Sequence, residues 1–329
     1  MESRKHILFF ALGWLLVSDA LVAQESPELT EVRRDAEQGD AEAQFQLGVQ
    51  YANGEGVAAD GAEAAKWYRL AAEQGHAEAQ NKLGVMYFNG QGVAADIDEA
   101  VNWLNKAAEQ GVVYSQINLA LICANGSGLP KNDAKAIEWF RKAAEQGDPF
   151  AQYRLGLKYD IGEGIPEDDA QAVHWFRKAA EQGDSRGQNG LGFMYATGSG
   201  VPKNLVEAAG WYRKAAEQGN ADAQNNLGYM YSMGNGVPQD RSEAVKWYRK
   251  AAEQGNRGGQ LNLGASYASG EGVPLDYVRA YAWCSLAAAQ GVRPAVQCVN
   301  DLIDVMSSSQ LEEARELSAT LAQRLYPSR

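Results

Sequence analysis

Cysteine is scarce in this chain, with Cys123, Cys284 and Cys298 among 329 residues. Three are too few for a disulfide framework. Beyond the first residues only His76 and His174 remain, at repeat positions that other units fill with polar or charged residues, which reads as solvated surface rather than a ligand or base. Positive charge is also short: Lys and Arg number 30 against 42 Asp and Glu, a net charge of −12. Nucleic acid binding needs a basic face to displace counterions, so the balance argues against it and against general adhesion to anionic lipid. No apolar run is long enough to cross a bilayer. Ser-x-x-Lys, Gly-x-Ser-x-Gly, His-Glu-x-x-His and Cys-x-x-Cys are all missing, so no nucleophile or metal motif announces itself. What is present is an ordinary soluble composition, 45% hydrophobic and 22% charged.

The first residues read as a separate unit. Arg4 and Lys5 give a positive start, Ile7 to Val17 is apolar, and small residues follow. This is the layout of a cleavable secretory signal over 1–23, cut after Ala23 or after Ala20. An uncleaved anchor is the alternative, disfavoured by the short core. No cysteine follows either site, which argues against a lipid anchor. The expectation is an exported chain, periplasmic or secreted, with no membrane insertion after cleavage.

Glu-Gln-Gly recurs every 36 residues, ending at Gly39, Gly75, Gly111, Gly147, Gly183, Gly219 and Gly255, and Ala289-Gln290-Gly291 continues the series. A fixed period of this length means a stacked supersecondary unit. Within each unit, residues such as Ala43, Leu47 and Tyr51 lie four apart on one helical face. A Gly-x-Gly pair, Gly54 and Gly56 in the first unit, stops that helix. Asp60, Asp96, Asn132, Asp168, Asn204, Asp240 and Asp276 then open a second helix as N-caps. Glu63, Glu99, Gln171, Glu207 and Glu243 follow three residues on, as in a capping box.

One phase holds Trp67, Trp103, Trp139, Trp175, Trp211, Trp247 and Trp283, and another holds six tyrosines from Tyr51 to Tyr267. These are the candidate core. Gly48 and its equivalents sit inside the first helices, where a glycine costs about 1 kcal/mol against alanine, so a close helix crossing is expected. Each helix is marginal alone, and stability must come from stacking on neighbours. Residues 24–39 read as an N-terminal capping helix, 40–291 as seven helix-pair repeats, and 292–329 as C-terminal capping helices. Ser307 and Gln310 open the last of these.

The phase A-x-A-Q-x-x-L-G-x-x-Y-x-x-G-x-G-V, followed by D-x-x-E-A-x-x-W-Y-R-K-A-A-E-Q-G, resembles the Sel-one-like repeat family, relatives of the tetratricopeptide repeats. The resemblance covers nearly the whole chain beyond the signal. It implies an all-α fold, a right-handed α-solenoid of antiparallel helix pairs whose first helices line a concave groove. It implies adaptor roles in envelope assembly or host interaction, without a cofactor. Some cysteine-rich relatives are described as β-lactamase-like, which gives an alternative, a cell-envelope enzyme acting on cell-wall material. Those relatives carry cysteine pairs in each repeat, and this chain does not.

Solenoids bind through variable positions on a repeated face. On the first helices these positions carry Tyr114, Phe150, Tyr153, Arg154, Arg186, Phe193 and Tyr229. Aromatic and arginine side chains are typical interface anchors, so they are the candidate site for a protein or peptide partner. Tyr114, Phe150 and Arg186 share a phase that other repeats fill with Glu42, Glu78 and Asp222. Asn81, Asn118, Asn225, Asn226 and Asn262 lie nearby and could bond an extended backbone. Phe193 and Tyr229 share a phase with Val49, Val85 and Leu121, so packing between repeats is the competing reading. Cys123 takes the place of the repeat tyrosine and reads as buried filler. Cys284 and Cys298 each lie seven residues from Gly291, at one height on antiparallel helices. A disulfide needs Cα atoms within about 7 Å. The position of Cys298 is polar in most repeats, which favours exposure, so bond and free thiol both stand.

Overall fold

The computed structural model describes residues 27–327. The signal segment 1–23 and the residues up to 26 lie outside them. Every described element is a helix, and the helices fall into two compact units, one ending at Gln110 and the other starting at Gly111. In the first unit, α1 (Pro27–Glu37) precedes two helix pairs, α2 (Ala41–Asn53) with α3 (Gly61–Glu73) and α4 (Ala77–Asn89) with α5 (Ile97–Glu109). The second unit continues the pairing with α6 (Val113–Asn125), α7 (Asp133–Glu145), α8 (Pro149–Ile161), α9 (Asp169–Glu181), α10 (Ser185–Thr197) and α11 (Leu205–Glu217). It goes on through α12 (Ala221–Met233), α13 (Arg241–Glu253), α14 (Arg257–Ser269), α15 (Tyr277–Ala289), α16 (Arg293–Val305) and α17 (Ser308–Leu325). Each unit is a solenoid of antiparallel helix pairs. The division falls at a repeat boundary where Val112 opens α6 without a side-chain cap.

Local chemistry sets each pair. Asp40 accepts from the Ala43 amide at 2.8 Å, and Asp60 accepts from Ala62 and Glu63. Gly54 ends α2 with φ of 75°, a left-handed value that favours glycine. The Asp60 amide then bonds back to the Tyr51 carbonyl at 2.9 Å, closing the turn. The expected capping boxes are half made. The acids do not return to the cap: Glu63 pairs with Lys66 at 3.2 Å and Glu243 with Lys246 at 2.7 Å. Among the described residues the full box is seen at Ser307 and Gln310. A lysine one turn on offers these exposed carboxylates a charged partner, which competes with a backbone amide.

Gly48 shows why the inner glycine persists. A Cβ there would lie 2.7 Å from the Tyr68 ring. Overpacking of that kind costs about 1–3 kcal/mol, more than the helix penalty of glycine. The packed layers are local. Ala136, Phe140, Ala151 and Leu155 form one cluster that takes in Trp175 of the following pair, and Ala208, Tyr212, Leu227 and Met230 take in Trp247. The tryptophans are buried or nearly so, and Lys106, Lys142, Lys178, Lys214 and Lys250 lie over their rings at 3.9–4.9 Å.

Two polar ladders run through the stacks. The glutamine of Glu-Gln-Gly donates to the buried glutamine of Ala-x-Ala-Gln: Gln74 to Gln44, Gln182 to Gln152 and Gln254 to Gln224, each at 2.8 Å. The buried partner donates in turn to a backbone carbonyl, as Gln152 does to Ala144 at 3.1 Å. The arginine that follows Trp-Tyr or Trp-Phe reaches the tyrosine of the next repeat: Arg177 to Tyr195 and Arg213 to Tyr231 at 3.0 Å, Arg249 to Tyr267 at 2.9 Å. At the C-terminal end the Tyr326 hydroxyl accepts from Gln260 at 3.0 Å and Gln290 at 2.7 Å. Cys284 and Cys298 are joined in a disulfide, Cα atoms 6.2 Å apart. Cys298 is half-buried rather than exposed, and Cys123 is half-buried with its thiol pushed up by burial.

Candidate first-helix binding face

The first helices α8 and α10 lie side by side, and four candidate side chains meet there. Arg186 opens α10 beside its N-cap Asp184. Its Nε donates to that carboxylate at 3.3 Å, and the Nη2 does likewise. The pairing holds the Arg186 guanidinium above its ordinary range. The same group lies 4.8 Å from the Phe150 ring centre and 5.5 Å from that of Tyr153. Arg154 approaches the Phe150 ring at 5.9 Å and the Phe140 ring at 5.4 Å. Its Nε is buried without a hydrogen-bond partner. Two guanidinium groups therefore share one phenyl ring, an arrangement worth about 0.5–2 kcal/mol per pair according to solvation.

The aromatic members are rooted in the core. Phe150 is half-buried and meets Phe140 edge-on at 6.4 Å, and Tyr153 lies 6.0 Å from Phe176. Burial pushes the Tyr153 hydroxyl up, with Arg154 and Arg186 acting against it. The variable phase is thus not wholly outside the repeat core, because an aromatic side chain at the helix start reaches the preceding second helix.

Tyr114, Phe193 and Tyr229 share none of these ring contacts. They are 69%, 46% and 50% exposed, which places them in solvent rather than between repeats. One turn beyond the phase of Phe193 and Tyr229, a position that reads Asn53, Asn89 and Asn125 in the first repeats becomes Ile161 in α8, Thr197 in α10 and Met233 in α12, with Ile161 and Met233 54% and 57% exposed. The change is easy to miss in the sequence, because the last turn of a helix is dominated by the Gly-x-Gly stop that follows it. The asparagines are partly committed elsewhere: Asn262 donates to Asn225 at 2.8 Å and Asn226 to Asn189 at 3.1 Å. Asn81 is buried.

His76 is not solvated surface. It caps α4, its Nδ1 accepting from the Ala79 amide at 3.2 Å and its Nε2 3.1 Å from Glu42, with the ring stacked on Phe45. The phase of His76 is the N-cap of every first helix, which is why Asp and Asn share it. His174 is exposed beside Trp175. Among the described residues no three His, Cys, Asp or Glu side chains are grouped to hold a metal ion, and no helix is long and apolar enough to cross a membrane.

Residues 41–76, 77–112, 113–148, 149–184, 185–220, 221–256 and 258–292 each match the Sel1 repeat. The chain belongs to the Sel1 repeat family. A Sel1 repeat protein from Oxalobacter formigenes is 40% identical over 83% of this chain and 79% of its own, with a TM-score of 0.69. The protein c5321, a protective antigen of uropathogenic Escherichia coli strains with an SLR fold, is 33% identical over 91% of this chain and 80% of its own, TM-score 0.44. A putative Sel1 repeat protein from Klebsiella pneumoniae is 25% identical over 61% of this chain and 98% of its own, TM-score 0.38. No curated protein matches.

Proposed function

We propose that this Sel1 repeat chain is an exported scaffold that binds a protein or peptide partner on the first-helix face of repeats three to six. The observation that carries the reading is the Arg186–Phe150–Arg154 cluster, with exposed Tyr114, Phe193 and Tyr229 on the same series of helices. Stacked arginine and aromatic groups supply large contact area with little entropy to lose, the character of interface anchors. Scattered exposed apolar residues are ordinary; a run of them along one repeated face is not. Export is supported by Arg4, Lys5 and the apolar run Ile7 to Val17, and by the Cys284–Cys298 bond, which belongs to an oxidising compartment. The enzyme alternative came from family resemblance, and no arrangement among the described residues adds to it.

The test is capture of partners on the native protein purified from the periplasmic or extracellular fraction, with the same sample sequenced from its N-terminus. The chain should begin at Gln24 or Leu21. Arg186→Glu combined with Tyr114→Ala should lower partner affinity at least tenfold, about 1.4 kcal/mol, with helix content unchanged and only a modest drop in melting temperature from the lost Arg186 contacts. Phe150 is left alone because its ring packs on Phe140. Full-length chain in the cytosol, or undiminished binding by the folded double variant, overturns the reading.

A further inference from the structure

In every internal pair the first helix is covered on its Leu and Gly side by its own second helix. Gly264 of α14, for example, has room only for a hydrogen against Cys284 of α15. α16 stands in the place of an eighth first helix. Its inward side, Ala295 and Leu302, is buried and its Cys298 is tied to α15. α17 then packs chiefly on α15. The residue of α16 at the glycine phase is Asn300, which would hold a second helix off. The side that a second helix would cover stays open, and it is apolar: Val296 and Ile303 are 47% and 39% exposed, with Val299 between them and Val292 one turn earlier. Spacings of three and four keep these on one stripe.

We infer that this stripe pairs with α16 of a second copy of the chain, antiparallel about a two-fold axis. The charges along α16 fit that arrangement. Arg293 lies at the start and Asp304 at the end of the same flank, beside the stripe. Both are exposed, and among the described residues neither has an ion-pair partner. In an antiparallel pair like flanks meet, so Arg293 of each copy faces Asp304 of the other. In a parallel pair unlike flanks meet, and Arg293 and Asp304 would lose each other as partners. Among the described residues α1 offers no match for the stripe, since its outer residues are Thr30, Glu31, Arg34 and Glu37. An isologous contact closes at two copies, whereas a head-to-tail contact would polymerise. One helix stripe per protomer buries less than the ~1,200 Å² of a standard interface, so the dimer is weak and concentration-dependent.

Sedimentation velocity of the purified protein over a concentration series tests this, with circular dichroism to check folding. The wild type should pass from monomer to dimer as concentration rises. Ile303→Asp should abolish the dimer, and Asp304→Arg should weaken it at least tenfold. The swap Arg293→Asp with Asp304→Arg should restore it. A chain that stays monomeric throughout overturns the proposal, as does a dimer indifferent to Ile303→Asp. A swap that fails to rescue overturns the antiparallel register.

Discussion

A glutamine with 3% of its surface exposed is costly unless both ends of its amide are used. Gln152 uses both. Its Nε2 donates to the Ala144 carbonyl and its Oε1 accepts from Gln182, whose Nε2 also reaches the Gly147 carbonyl at 2.9 Å. One side chain thus fixes the end of a second helix against the start of the next first helix, in the same way in repeat after repeat. Gln152→Ala removes two hydrogen bonds, while the Ala144 carbonyl keeps the Gly147 amide at 3.0 Å. A loss of about 1–3 kcal/mol is expected in urea unfolding. Gln182→Ala should cost at least as much, because it leaves the buried Gln152 Oε1 without its donor. A loss confined to Gln152→Ala would mean that the ladder's worth lies in the packing of the buried amide and not in the bond. The role was invisible in the sequence for a physical reason. Glu-Gln-Gly announces a helix stop through its glycine, but an amide names no partner, and the partner is thirty residues away. His76 shows the same limit: its cap geometry is plain once α4 is seen, yet histidine is an uncommon cap and invited a solvent reading.

Helix α8 buries a charge in a phase that its equivalents leave uncharged. Lys158 fills a phase that holds Met86, Ile122, Met194 and Met230 elsewhere, and its side chain is 6% exposed. It bonds Asp133 at 3.0 Å and Glu163 at 2.8 Å, and Lys131 completes the group from outside at 3.1 and 2.6 Å. Bonding to Lys131 and Lys158 brings the Glu163 carboxyl down to about 2, and Lys158 with Lys131 holds Asp133 below its ordinary value. A depressed carboxyl contributes stability above its unfolded value and loses it as pH falls through the folded one. The contribution of Glu163 is therefore present at neutral pH and fades from about 4.5 towards about 2, and that of Asp133 fades in the same direction, below its ordinary value. Solvent screening at the partly exposed Glu163 keeps it modest. Lys158→Met should flatten that acid limb of the melting-temperature profile. At pH 7 it should be neutral or stabilising, by up to about 1–4 kcal/mol, because methionine suits the pocket and the acids keep Lys131. A clear loss at pH 7 would show that the buried pair outweighs its desolvation. The helices themselves were legible: α2 spans Ala41–Asn53 as its periodicity predicts, and each of the seven second helices opens at its Asp or Asn. What the sequence hid was which variable residues join, since Phe150 and Arg186 meet only because 36 residues equal one step of the stack.

At the scale of the whole molecule, an array in which each pair touches only its neighbours should keep a local injury local. The C-terminal end offers the sharpest trial. α16 buries little beyond Ala295 and Leu302, so its place depends on the Cys284–Cys298 bond, which closes a span of 14 residues. Cross-links over loops of that size are worth about 3 kcal/mol in the chain-entropy account. The cysteine spacing showed that the two residues lie level, but the bond itself needed the Cβ directions that only packing supplies. Cys298→Ser, which avoids having to reduce a sulfur buried at Cys284, should open α16 without unfolding the rest. Hydrogen exchange should report the loss as roughly a hundredfold fall in protection of α16 amides. α8 to α11 should be unchanged, since α16 packs on α15 and α14. If protection fell equally in α8 to α11, the second unit would unfold as one body, and nearest-neighbour stacking would be the wrong description of it.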